Sequence, residues 1–471
     1  MNPVRSLARP AVVLIKLRLD ESRRDLGGAT SNGMKKTGLF FIDITGLYIS
    51  LVFTLFIRYR DSFNEQHAVH FLPFVFIFIL WVLIFYIINL YDIGSIRNNL
   101  YFYTNLFKAI AFASAISIMF FYFMPLFRIT PRTNLFIFIA FFSGFSVLNR
   151  TLFNNINEKK FKKSLLIVGS GPQSAELAKF IKENPQLGYE LKNLADPTKE
   201  DIRSIEQFIK KERINTVVIS PETYQIPEVI DMFYRSLESH VTFRNLSSFY
   251  EQLANKVPLG AINQVWFLEN LSEGGKKTYE EMKRFFDIVF SVTMGLIILP
   301  FVPLIALAIK LSSPGPVFYR QTRRGQNGKT FEIVKFRTMS KDAEKTTGAV
   351  WTQENDPRIS RLGKFFRKTR IDELPQLWNI LKGEMSFVGP RAERPEFHDQ
   401  LKAEVPFYEE RYIIKPGLSG WAQINYRYGS SIADAAEKLQ YDLYYIKNRS
   451  LILDLGIILK TINISMRQAG R

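Results

Sequence analysis

The 471-residue chain has no cysteine. That absence removes disulfides, thiolate metal sites and cysteine nucleophiles together. Histidine is nearly as scarce: His67, His70, His240 and His398 are scattered and leave little for a histidine metal centre or a Ser-His triad. Walker, zinc-finger and RNP patterns are missing as well. Any chemistry therefore falls to carboxylates, arginines and lysines.

What the chain has in abundance is phenylalanine, 42 residues of it within a 47% hydrophobic composition, and positive charge, a net +18. A basic balance of that size calls for an acidic partner: nucleic acid, anionic lipid or phosphorylated substrate. Several apolar runs of membrane length favour lipid and phosphate, and no nucleic-acid partner is expected.

Residues 1–36 form a basic N-terminal segment whose short apolar stretch, Ala11 to Leu19, is interrupted by Lys16 and Arg18. The stretch is too short for a signal peptide and no small-residue cleavage site follows. Four apolar segments come next, Gly38 to Ile57, Phe71 to Tyr91, Leu106 to Met124 and Leu135 to Phe153. Each approaches the ~20 residues a helix needs to cross a bilayer, so residues 37–155 are predicted to be four transmembrane helices. Lys and Arg cluster before the first (Arg23, Arg24, Lys35, Lys36) and after the fourth (Lys159, Lys160, Lys162, Lys163). This bias puts both ends, and all that follows, in the cytoplasm.

From Phe161 the pattern turns soluble and α/β. SLLIVGSGPQSAELAKFI reads as a buried strand, a glycine turn and a helix, and INTVVIS as a second buried strand. Gly169 and Gly171 would let a helix N-terminus approach a phosphate, but the third glycine of a dinucleotide fingerprint is missing, with Ala175 nearby. Residues 161–270 are expected to be a degenerate Rossmann-like domain with a regulatory or assembly role. A fifth apolar segment, 285–311, is interrupted by Pro300 and Pro303 and flanked on both sides by Lys and Arg. Proline breaks or kinks a helix, and a full crossing would put one basic cluster outside. A helix-break-helix hairpin entering and leaving by the cytoplasmic face fits better.

The densest chemical signal is RKTRIDELPQLWNILKGEMSFVGPRAERPEF. Asp372 and Glu373 open an apolar-periodic helix, with Asp372 expected at the N-cap and Pro375 in the first turn. A helix N-terminus favours anions, so Asp372 is expected to be ionised near neutral pH, the state of a nucleophile. Arg367, Lys368 and Arg370 precede the pair and Arg391 follows in a VGPR turn. Guanidinium groups grip phosphate oxygens in pairs and can hold a diphosphate beside a carboxylate that would otherwise repel it.

Residues 281–471 resemble the catalytic domain of the monotopic phosphoglycosyl transferases, also called bacterial sugar transferases or polyprenyl-phosphate hexose-1-phosphate transferases. SPGPVFYRQ, RRGQNGKTFEIVKFRTM, DPRISRLGKFFRKTRIDELPQLWNILKGEMSFVGPR, KPGLSGWAQINYRYG and LQYDLYYIKNRSLILDLGIILKT carry the likeness. The four helices and Rossmann-like domain upstream resemble the family's long form. The whole would be a membrane protein with a four-helix transmembrane bundle, a Rossmann-like domain and a mixed α/β catalytic domain with a re-entrant hairpin.

The resemblance implies that Asp372 is a covalent nucleophile toward a UDP-sugar, that Glu373 assists at a metal or in handling protons, and that Mg²⁺ is liganded by Asp372 and the diphosphate. Lys335, Arg367, Arg391 and Arg427 match basic positions of the family's phosphate site and Asp454 its late acidic position. Where the family often has proline after the VGPR arginine, this chain has Ala392. The implied reaction moves a sugar 1-phosphate from a UDP-sugar to polyprenyl phosphate, releasing UMP, at the bacterial inner membrane, and initiates exopolysaccharide, capsule or O-antigen synthesis. A homodimer and the polysaccharide-assembly machinery are its expected protein partners. Two rivals are a membrane-bound NAD-dependent nucleotide-sugar dehydratase or epimerase, for which Tyr279 to Lys283 spells YxxxK, and a non-catalytic assembly scaffold. A metal-dependent glycosyl transferase is disfavoured by the lack of a DxD motif.

Overall fold

In hydrocarbon a chain must satisfy its own backbone hydrogen bonds, and a run of apolar residues does so as helix. The computed structural model describes residues 35–92, 100–123, 132–159, 162–236, 241–271, 276–339, 356, 358–426, 429 and 431–466. Its chain divides into two units, residues 1–253 and 254–471.

The first unit begins with α1 (residues 35–59), α2 (Phe63–Ile87), α3 (Leu100–Phe123) and α4 (Arg132–Lys159). Between α1 and α2 lies a 3-10 turn, Arg60–Ser62, in which Arg60 adopts φ +23°. There the chain folds back on itself. Tyr48 and His67 would stand about 28 Å apart on one unbroken helix, yet their Oη and Nε2 atoms are 3.2 Å apart. Within the bundle, Phe74, Phe78, Trp81 and Phe85 of α2 pack on Phe138 and Phe142 of α4. Trp81 and Phe142 meet edge to face at 5.1 Å, and the Trp81 Nε1–H donates to Ser117 Oγ of α3 at 2.9 Å.

Two polar clasps join α1 to α4. Arg150 donates to the Asp43 carboxylate at 2.5 Å with both side chains fully buried, and Arg58 donates to Asn134 at 2.9 Å. Asp43 meeting Arg150 and Arg58 meeting Asn134 fixes an antiparallel register, which an apolar interface alone would specify poorly.

After the bundle come β1 (Lys163–Val168), α5 (Pro172–Glu183), β2 (Tyr189–Ala195), α6 (Ile202–Lys211), β3 (Thr216–Ile219), α7 (Pro227–Ser236), β4 (Thr242–Asn245) and α8 (Leu246–Ala254). The strands form an all-parallel sheet in the order β2-β1-β3-β4. Leu165 to Val168 and Val217 to Ile219 are buried, as strands covered on both faces must be.

The second unit holds α9 (Gln264–Asn270), α10 (Lys277–Ile298), α11 (Val302–Ser312), β5 (Phe318–Arg324), β6 (Thr330–Phe336), α12 (Arg361–Thr369), α13 (Leu377–Lys382), β7 (Ser386–Val388), α14 (Pro395–Glu404), β8 (Gly417–Ser419), α15 (Trp421–Asn425), α16 (Ile432–Asn448) and α17 (Leu451–Met466). Val257, Leu259, Trp266 and Phe267 join a core with Val388, Leu401, Tyr408, Leu443 and Ile457. The stretch before residue 270, expected to close the preceding domain, therefore packs with the second unit.

Residues 299–301 form a 3-10 turn carrying Pro300, and Pro303 stands at the start of α11. The two prolines thus mark the break between α10 and α11. Only 6% of the most apolar window of Lys277–Ser312 is buried, against 44% in Lys35–Ile87. Phe285, Leu296, Leu299, Phe301, Leu304 and Leu311 all project outward. The inward stripe of α10 is polar instead. Lys276 donates to the carbonyls of Ile446 and Lys447, Lys283 to Asp454, Arg284 to the carbonyls of Ile380 and Leu381, and Asp287 accepts from Ser386 Oγ and the Phe387 amide. Among the described residues four helical segments are long and apolar enough to cross a membrane, Lys35–Ile87, Phe102–Phe123, Thr133–Ile156 and Lys277–Ser312, and the first contains both α1 and α2. This is a membrane protein with a parallel α/β domain and a mixed α/β C-terminal unit.

Candidate active site

The turn that carries the acidic pair is not the opening of an α-helix. Arg370 terminates α12 in the left-handed conformation, φ +60°, and residues Ile371–Gln376 form a 3-10 segment before α13 begins. Asp372 makes no capping bond and is not the N-cap that its neighbours suggest. The tighter turn points Asp372 and Glu373 inward, and both are buried.

Three cations converge on Glu373. Lys335 of β6 and Arg391 reach Oε1 at 3.1 and 3.2 Å, and Arg370 reaches Oε2 at 3.1 Å. Burial works against the charge, but Lys335, then Arg391 and Arg370, hold Glu373 well below the usual carboxylate range. Glu373 is therefore a fixed anion that organises the basic groups, and the proton-handling role implied for it does not suit a group held so far from titration. Burial, and then Arg391, draw the Lys335 amine down while Glu373 opposes them. At 3.1 Å the two stand as an ion pair.

Asp372 is different. Its Oδ1 is buried and has no hydrogen-bond partner among the described residues. Burial, followed by the charge of Glu373, raises its pKa to about 6, against the pull of Lys335, Arg367 and Arg370. The expectation that a helix N-terminus would keep this carboxylate low is overturned by desolvation and a like-charged neighbour. At neutral pH it is still mostly ionised, and its oxygen is open to a ligand in a way that those of Glu373 are not.

The frame around the pair is set by backbone contacts. Asn379 of α13, fully buried, donates to the Glu332 carbonyl at 2.7 Å and accepts from the Val334 amide at 3.1 Å, tying the acidic turn to the strand that carries Lys335. The VGPR and KPGLSG turns lock together, with the Gly389 amide on the Ser419 carbonyl and the Gly417 amide on the Pro390 carbonyl, each at 2.9 Å. A Cβ on Gly389 or Gly417 would strike the facing backbone. Arg323 donates to the Ala392 carbonyl at 3.2 Å and Arg411 to the Arg391 carbonyl at 3.1 Å, so arginines stiffen the turn that lacks the family's proline.

Of the residues named from sequence, Asp372, Glu373, Lys335 and Arg391 come together, and Arg367 lies within their field while donating to Thr338 Oγ1 at 3.0 Å. Asp454 does not join them. It accepts from Lys283 at 2.7 Å, Tyr279 at 2.8 Å and Tyr445 at 2.7 Å, a clasp between α17, α10 and α16. Arg427 lies outside the described residues. Sequence reading passed over Arg370 as a site residue and Asn379 altogether. Arg370 adjoins the pair in sequence, whereas the two β6 backbone partners that give Asn379 its place, the Val334 amide and the Glu332 carbonyl, are 45 and 47 residues away.

The Tyr279/Lys283 pair spends both polar ends on Asp454, which leaves the dehydratase reading without its base. At the glycine turn of the first unit, the Gly171 amide at the head of α5 already donates to Glu222 Oε1 at 3.2 Å. A carboxylate sits where a cofactor phosphate would approach.

Among the described residues no three His, Cys, Asp or Glu side chains cluster around a metal position. The unpartnered Asp372 Oδ1 nevertheless suits a magnesium ion, which uses one or two carboxylates and completes its shell with phosphate oxygens and water.

A buried carboxylate with an unpartnered oxygen stands beside a second carboxylate on which three cations converge, in a unit whose helix α10 turns apolar residues outward. Comparison with known proteins gives the family. Bacterial sugar transferases match residues 278–468. An exopolysaccharide production protein of Rhizobium leguminosarum bv. phaseoli is 42% identical over 189 residues, 38% of this chain and 93% of that protein. A UDP-glucose:undecaprenyl-phosphate glucose-1-phosphate transferase of Klebsiella pneumoniae is 30% identical over 357 residues, 71% of this chain and 76% of the relative. A UDP-N-acetylgalactosamine-undecaprenyl-phosphate N-acetylgalactosaminephosphotransferase of Aeromonas hydrophila is 41% identical over 232 residues, 49% of this chain and 54% of the relative, about half its length. The chain belongs to the bacterial sugar transferase family.

Proposed function

We propose that this chain transfers a sugar 1-phosphate from a UDP-sugar to polyprenyl phosphate, releasing UMP, as an initiating step of exopolysaccharide, capsule or O-antigen synthesis at the bacterial inner membrane. The observation that carries the chemistry is the buried, unpartnered oxygen of Asp372 beside a fixed cluster of Lys335, Arg370 and Arg391. In the first displacement an Asp372 oxygen bonds to the sugar-bearing phosphorus. The bond from that phosphorus to the bridging oxygen breaks, and UMP leaves with the electron pair. In the second, an oxygen of polyprenyl phosphate attacks the same phosphorus, the aspartyl–phosphorus bond breaks, and the carboxylate is restored. Two displacements at one carboxylate give ping-pong kinetics.

The cations stabilise charge on the non-bridging oxygens in both steps, and Glu373 keeps them in register before substrate arrives. Magnesium held by Asp372 and the diphosphate would neutralise phosphate charge. The α10–α11 pair reads as a re-entrant hairpin that keeps this site at the cytoplasmic surface, where a soluble nucleotide sugar and a lipid phosphate meet. The parallel-sheet domain reads as a Rossmann-like element of regulation or assembly, consistent with Glu222 at the head of α5. The names of the relatives divide between glucose and N-acetylgalactosamine, so both UDP-sugars belong in the assay.

The test is UMP release by purified enzyme with undecaprenyl phosphate, together with mass spectrometry of protein trapped with UDP-sugar alone. Asp372→Asn should lower turnover about a thousandfold or more and abolish the phosphosugar adduct. Full-rate turnover by that variant would exclude both the mechanism and the catalytic role of the residue.

A further inference from the structure

At the far end of α13 from the acidic turn lies a shallow cleft lined by Glu280, Lys283, Arg284, Asp287, Lys415 and Arg449 among others. Most of its charge is already matched: Lys283 pairs with Asp454 at 2.7 Å and Arg449 with Glu280 at 2.9 Å, while Asp287 accepts from Ser386 Oγ and the Phe387 amide. Arg284 spends two of its five donors on the Ile380 and Leu381 carbonyls. Lys415, half-buried, forms no ion pair or hydrogen bond among the described residues.

Lys415 is not needed to satisfy the α13 C-terminus, since Arg284 already does so. Its Nζ and the Arg284 guanidinium each lie 3.6 Å from the point where a Cβ on Gly383 would stand, so they are within about twice that distance of each other. One phosphate group, accepting at about 2.7–2.9 Å from each cation, spans that gap. Burial, and then Arg284, lower the Lys415 amine from its usual range, a tension that a bound anion relieves.

The level of the cleft names the anion's carrier. Along α10 the outward apolar band begins at Phe285, within the same two turns that supply Lys283, Arg284 and Asp287. A cleft at the first turns of a membrane-inserted helix stands in the headgroup layer, where lysine stems lie along apolar surface and ammonium groups meet lipid phosphates.

We propose that Lys415 and Arg284 bind the phosphate of an anionic lipid headgroup, at a site separate from the Asp372 cluster. The proposal rests on the reading of 285–311 as membrane-inserted. Its test uses solubilised protein, so failure of lipid binding and failure of the insertion reading are distinguishable. Full-length protein in non-ionic detergent would be titrated separately with phosphatidylglycerol, farnesyl phosphate and diacylglycerol, and retained lipid counted by native mass spectrometry.

Wild type should retain one phosphate-bearing lipid in preference to diacylglycerol, Lys415→Gln should reduce that retention at least fivefold, and Lys415→Arg should restore it. Phosphatidylglycerol retention that is lost in Lys415→Gln assigns the site to a bilayer phospholipid, and farnesyl phosphate retention that is lost in Lys415→Gln assigns it to a polyprenyl phosphate bound apart from the Asp372 cluster. Either supports the proposal. Diacylglycerol retained as well as the phosphate lipids by wild type overturns it whether or not the variants fold, as does equal phosphate-lipid retention by wild type and Lys415→Gln.

Discussion

Two adjacent carboxylates that look alike in sequence have opposite electrostatic fates. Glu373 is surrounded by three cations and cannot be protonated near neutrality, while Asp372 keeps a bare buried oxygen and titrates at about 6. If the ionised form attacks, kcat/KM should fall about tenfold per pH unit once pH drops below about 6. A pH–rate profile measured on the free enzyme checks this. The stability effect has the opposite sense. A carboxylate whose folded pKa is raised favours folding when protonated, so its contribution is present below about 4 and is lost as pH rises through about 6. Glu373→Gln should cost about 2–4 kcal/mol because it strands the largely enclosed Lys335, with the more exposed Arg370 and Arg391 contributing less. Thermal unfolding at pH 7.5 measures the loss.

At the scale of elements, sequence periodicity located the apolar helices, and the prolines of the fifth apolar segment fall at the α10–α11 break. It did not reveal the 3-10 turn at Ile371–Gln376. A run of six residues carries too little period to separate a 3-10 turn from the start of α13, and the left-handed Arg370 that forces the turn has no glycine to announce it. Nor did it separate the roles of Asp372 and Asp454, because what distinguishes them is partners brought from distant elements. The break itself makes a directional prediction. The chain lacks cysteine, so Lys277→Cys and Ser312→Cys can be labelled singly. Both should react with a membrane-impermeant maleimide in inside-out vesicles and neither in intact spheroplasts; labelling from opposite sides would establish a full crossing.

For the whole molecule, the excess of positive charge and phenylalanine pointed to lipid and phosphate, and among the described residues the apolar segments are helices, three spans of membrane length upstream of residue 160 and a fourth at Lys277–Ser312. The packing of residues 255–267 with the second unit was not legible, since the sequence assigns Trp266 and Phe267 to the Rossmann-like domain of residues 161–270 and their partners Leu443 and Ile457 lie far along the chain. Metal dependence belongs at this scale because it separates catalysis from folding. Chelation with EDTA should stop turnover while leaving the unfolding temperature unchanged, since the described residues contain no carboxylate–histidine cluster that a structural ion would hold. A shift in both on chelation would argue for a metal that shapes the fold.

The hydrogen bonds from Arg284 to the Ile380 and Leu381 carbonyls make α13 a short rod with α10, whose apolar residues face outward, fixed at one end and the Asp372–Glu373 turn at the other. Its six residues span about 9 Å. Under the proposed insertion of the α10–α11 pair, its depth in the leaflet would be passed along this rod to the Asp372 carboxylate, and local bilayer thickness would become one of the variables that set where that carboxylate stands.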